Sequence, residues 1–238
     1  MNPTIVRLSL RAVLGRRRGI LLFVLPGILL ALAILVRILA GTADAAVEGI
    51  QLALGMAVVV PLVALIATTS VLAPEIDDGS ISYLLAKPLS RHTIVVSKLV
   101  VAVGCVLVFA AIPMVWSDLI LDNGDLRLAI GYGVGALAGG ATYCAVFALM
   151  SVLTKHAVVW GLVYWLLWEG LLGELLDGVR WLSITWWARA ITEAVGGGFG
   201  IAEKLGPVYA TTAMLLVLVA GTFLAGHKLR AFNLTGDE

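Results

Sequence analysis

Six uncharged, strongly apolar stretches account for most of this chain, and each is long enough, or nearly so, to cross a lipid bilayer. A helix needs about 20 such residues to span the hydrocarbon core. The spacing predicts spans over residues 20–40, 50–73, 94–117, 128–154, 157–173 and 206–226. The fifth reaches spanning length only if Glu169 is tolerated inside it. Composition points the same way, with 61% hydrophobic and 13% charged residues, where a soluble domain carries about 25% charged. An ordinary soluble enzyme is excluded, and so is a disordered chain. The fold class is an all-α membrane protein with six transmembrane helices.

The placement of lysine and arginine orients those helices. With the N-terminus in the cytoplasm, eleven of the 16 basic residues fall inside, among them Arg16, Arg17, Arg18, Lys87, Arg91 and Lys98. Four fall outside (Arg127, Arg180, Arg189 and Lys204), and Arg37 sits near the outer end of the first span. The positive-inside rule selects this arrangement, with both termini cytoplasmic. Arg16 to Arg18 ahead of an apolar run also resemble the start of a signal peptide, but Arg37 and acidic residues follow where a small-residue cleavage site would stand. Residues 4–19 read as a separate amphipathic helix lying in the interface, with Arg7, Arg11 and Arg18 on one face. A plain anchor and a helix that also touches a partner look alike at this level.

The richest local chemistry lies in the connection 74–93. Gly79 permits a sharp turn, and Ser80 can cap a short helix whose Ile81, Leu84 and Leu85 form an apolar face. Pro88 stops that helix, because the residue before proline disfavours helical geometry. Ser90 can then cap the third span. The product is a short capped helix held between two membrane helices on the cytoplasmic side.

Glu75, Gly79-Ser80, Leu84-Leu85, Lys87-Pro88-Leu89-Ser90-Arg91, Ile94 and Lys98 together resemble a cytoplasmic segment of ABC transporter permeases of the type-two exporter class. The sharp likeness covers this segment, while the six-span layout agrees over the whole chain. The resemblance implies that 74–93 contains a coupling helix docking on an ATP-binding subunit, with Glu75, Gly79, Ser80, Leu84, Leu85, Lys87, Pro88, Ser90 and Arg91 as coupling residues. It also implies a re-entrant helical hairpin on the outer side, between spans five and six, at 174–205. Two ATPase copies, a second permease copy (identical or related) and the bilayer are the implied partners, with no nucleic acid. The implied setting is a bacterial cell membrane. No cofactor is expected on this chain; ATP and Mg belong to the partner subunit, consistent with the lack of a G-x-x-x-x-G-K-[ST] phosphate loop.

Within the membrane, Glu169 is the acidic residue that calls for a role, since an unpaired charge in hydrocarbon is costly. It can line a pathway, serve a gate, or pair with Arg37 at a similar level. Trp181, Trp186 and Trp187 are too apolar for a free loop and fit an outer hairpin, where an indole buries its rings and keeps its N–H near the headgroups. Gly131, Gly135 and Gly139 recur every four residues in the fourth span, a small-residue ladder that lets another helix approach closely. Cys105 and Cys144 read as small packing residues. An ion-coupled carrier or channel would show several membrane carboxylates or internal repeats. A non-transporting, ATPase-linked anchor would look like the exporter in sequence. Few polar residues lie in the spans, which leans towards an apolar or amphipathic cargo.

Overall fold

A computed structural model describes residues 19–40, 49–77, 91–121, 126–197 and 205–231. The interfacial helix expected over 4–19 lies outside them, apart from its last residue. Every element among the described residues is helical: α1 (Gly19–Ala40), α2 (residues 49–77), α3 (residues 91–121), α4 (Leu126–Leu153), α5 (Ala157–Leu175), the single turn α6 (Asp177–Arg180), α7 (Ile184–Gly196) and α8 (Pro207–Ala231). Six of these (α1 to α5 and α8) are long and apolar enough to cross a membrane.

The helices form two layers by burial. More than half of α2, α3 and α4 is buried in the protein, against less than a third of α1, α5 and α8. The second group turns Ile20, Phe23, Leu39, Leu166, Leu215 and Leu216 outward. In water such faces would make an apolar patch far beyond what a soluble protein exposes; in lipid they are the matching surface. Helices in lipid gain little from hydrophobicity against one another, so close packing must hold them. Glycine and alanine on α4 serve that end, with Tyr132, Tyr143 and Phe147 as the large buried side chains of the same helix. The α4 helix packs against α7, α2 and α8 and forms the centre of the bundle.

Three spans contain π-helical stretches: Gly49–Val59 opens α2, Leu107–Ala111 interrupts α3, and Trp165–Leu172 lies within α5. Such wide turns favour functional positions, and the third contains Glu169. The helix that carries the predicted span 94–117 runs on to Leu121. Asp118 therefore lies inside a membrane helix, fully buried. A charge normally marks the end of a span, but this one is hydrogen-bonded by Gln51.

Candidate functional site

Glu169 projects from the π-helical part of α5 and is 4% exposed. Its carboxylate takes four hydrogen bonds. Oε1 accepts from the Ile184 backbone N–H at 3.0 Å and from the Tyr164 hydroxyl at 3.2 Å. Oε2 accepts from the Ser183 hydroxyl at 2.5 Å and from the Thr185 N–H at 3.2 Å. All four are donors, which suits an acceptor-only carboxylate. Ile184 and Thr185 open α7, and the first N–H groups of a helix have no partner of their own. Ser183 is the N-cap residue, and its oxygen also accepts from the Trp186 N–H at 3.3 Å. The acid thus completes the start of a helix that would otherwise expose bare donors, and the positive end of that helix answers the buried charge. Thr185 extends the network to α4, its hydroxyl lying 2.8 Å from that of Tyr143.

Glu169 accordingly takes its partners from α5 and from the start of α7. Arg37 instead donates to the Leu121 carbonyl at 2.9 Å, so the pairing of those two residues considered from sequence is not the arrangement adopted. Polar partners for the acid were legible only as Ser183 ahead of Ile184-Thr185-Trp186, a helix-start pattern.

The glycine ladder of α4 receives α7. A Cβ on Gly131 would stand 2.7 Å from the Thr192 carbonyl, one on Gly135 the same distance from the Ala188 carbonyl, and one on Gly139 2.8 Å from the Ala188 Cβ. Gly133 and Gly140 face Val115 and Val106 of α3 instead. The two helices run antiparallel: Gly196 meets the Leu128 end of α4, while Thr185 meets Tyr143. At 1.5 Å per residue, Tyr143 lies about 25 Å along α4 from Leu126, out of about 42 Å in all. The first turn of α7 is therefore next to the middle of the bundle.

Arg189 fixes α7 along its length. It is 7% exposed, donates to the Leu52 carbonyl of α2 at 3.3 Å and pairs with Glu174 at 3.1 Å. Its guanidinium and that of Arg180 lie 4.9 and 4.6 Å from the ring centre of Trp186. Trp186 donates its indole N–H to the Gly173 carbonyl at 3.1 Å, and Trp187 donates to the Trp181 carbonyl at 2.9 Å. Trp187 is buried, Trp186 half-buried and Trp181 exposed. Tyr209 of α8 also donates to the Trp181 carbonyl, at 2.8 Å. These contacts bring Glu169, Trp181, Trp186 and Trp187 into one assembly around α7, with Ser183, Thr185, Tyr143 and Arg189 as members that sequence reasoning did not single out.

Of the residues expected to couple to an ATPase, Gly79, Ser80, Leu84, Leu85, Lys87, Pro88 and Ser90 lie outside the described residues. The backbone of Glu75 belongs to the last turns of α2, and Arg91 opens α3. The helices that carry this segment are tied twice. Buried Lys98 donates to the Val71 carbonyl at 3.1 Å. Near the opposite ends, the Gln51 amide donates to Asp118 at 3.2 Å, and the Ser117 hydroxyl donates to Gln51 at 3.2 Å. A groove of about 250 Å³ lies where α4, α7 and α8 meet, lined by Ala138, Ala141, Thr142, Ile191, Thr211, Met214, Leu215 and Leu218. Thr142 and Thr211 turn their hydroxyls to the carbonyls of Ala138 and Pro207, which leaves the groove apolar.

A family model described as ABC-2 family transporter protein matches residues 6–226. No curated protein matches the chain.

Proposed function

The chain belongs to the ABC-2 transporter family, and from that premise we propose that it is the membrane-spanning permease subunit of an ATP-binding-cassette exporter. ATP is hydrolysed on a separate subunit present in two copies, two permease copies complete the unit, and an apolar or amphipathic solute moves outward. Both termini are cytoplasmic, in a bacterial cell membrane. Segment 78–90, with Glu75 and Arg91 at its shoulders, passes the motion of the ATPase to α2 and α3. In this assembly α7 dips into the outer leaflet and closes the exit, with Trp181, Trp186 and Trp187 around it.

The observation that carries this proposal is the packing of α7 along the glycine ladder of α4, which takes its first turn to the middle of a membrane bundle. Helix ends survive at such depth only where protein surrounds them, and a segment held there without spanning suits a gate. The Lys98–Val71 tie supports the coupling role, since it joins α2 to α3 beneath the segment they carry. The test uses the permease with its co-purified ATPase in proteoliposomes. Charge reversal at Glu75 or Arg91, or Leu84→Pro, should remove the permease-dependent share of ATP hydrolysis while membrane insertion stays intact. Normal hydrolysis and ATPase association in all three variants would overturn the assignment.

A further inference from the structure

We propose that Glu169 is the latch of α7: a positioning residue that holds this helix in its groove through a bond set that must open whenever α7 leaves. The proposal rests on α7 as a gate and adds the group that sets its resting position. The argument begins with mutual dependence. In hydrocarbon a carboxylate without donors is costly, and so are the first N–H groups of a helix without acceptors. Here each supplies what the other lacks: Glu169 takes the Ile184 and Thr185 N–H groups and the Ser183 hydroxyl. Separation would take three of its four donors from the acid and the acceptor from the helix start at once, so the bonds act together and favour two states over a continuum.

The placement of the bonds matters as much as their number. Every contact of Glu169 with α7 falls on its first turn or its N-cap, whereas Arg189 ties the middle of α7 to α2 and α5, and Arg127 of α4 donates to the Val195 carbonyl near its far end at 3.1 Å. From Ala188 to Gly196 the face turned to α4 rests on glycines. The Tyr143–Thr185 bond adds a neutral contact to α4 at the deep end. Tyr164 reaches Glu169 from its own helix and stays with it when α7 moves. Weakening Glu169 therefore loosens α7 as one body from its groove and leaves the rest of the bundle in place.

The experiment uses the full chain alone in lipid nanodiscs, with Cys105 and Cys144 replaced by serine and a reporter introduced by Thr192→Cys. Thr192 is fully buried, and its hydroxyl bonds only within α7, to the Ala188 carbonyl. A membrane-impermeant thiol reagent reports how often α7 lifts. Glu169→Gln keeps the shape but replaces one acceptor oxygen with an NH2 donor, so two of the four bonds are lost and the other two become neutral ones, which are roughly half as strong. Labelling should then speed up by about tenfold, a change of about 1.4 kcal/mol in the open–closed balance. A second reporter, Ala148→Cys in the core of α4, should stay slow. A merely structural acid would lower the melting temperature and raise both reporters together, and that outcome overturns the latch. Unchanged labelling at position 192 overturns it as well. Where Glu169→Gln fails to fold, Ser183→Ala removes one donor and the N-cap and must show the same selective rise, smaller in size. No ATPase is present, so failure here leaves the hydrolysis test of subunit identity untouched.

Discussion

At Gly135 one methyl group is enough to force two helices apart. Its added Cβ would press on the Thr192 hydroxyl, the Ala188 carbonyl and the Met56 methyl, and the carbonyl is backbone that has no rotamer to retreat into. Gly135→Ala should therefore cost about 1–3 kcal/mol, the usual penalty of overpacking. Gly104→Ala on α3, where nothing stands within 4 Å, should be neutral or gain up to about 1 kcal/mol from helix propensity. Thermal unfolding of both variants in the same nanodisc checks the contrast; equal effects would show that the ladder is not a contact surface. The ladder is readable from sequence because its spacing repeats along one helix. The surroundings of Glu169 are not, because two of its four donors are backbone N–H groups. Nearly every residue offers such a group, so composition cannot reveal which one an acid will find.

Among the helices, the apolar runs announce all six spans, since length and hydropathy decide who crosses a membrane. Their ends are less legible. Asp118 resembles a boundary until Gln51, far away in sequence, is seen to bond it. The π-helical turns leave no sequence signal; two of them meet where the Trp165 indole N–H donates to the Ala57 carbonyl at 2.6 Å, a contact between residues far apart in the chain. The α7 helix is an intermediate case: its amphipathic pattern predicts a helix, but only the groove shows that both its polar and apolar faces are covered. Backbone amides over 184–196 should exchange with deuterium slowly, because a capped and packed helix keeps its own backbone hydrogen bonds even when it moves as one body. Fast exchange across that whole stretch in nanodiscs would mean a solvated connection instead.

At the scale of the whole molecule, sidedness rests on the distribution of basic residues along the chain. Cysteines introduced at Thr42 or Gly124 should react with impermeant thiol reagents on intact cells, and one at Ser80 should not. Labelling at Ser80, or protection at both other sites, would invert the arrangement. The two ties between α2 and α3 have a mechanical consequence. Lys98 and Asp118 are 20 residues apart in α3, about 30 Å along its axis. A pair of rods pinned near both ends resists shear, so neither can slide on the other. Leu52, beside one pin, is where Arg189 grips α2. A thrust applied at the Asp77 and Arg91 ends would thus travel through a braced strut and arrive, undiminished by slippage, at the side of α7.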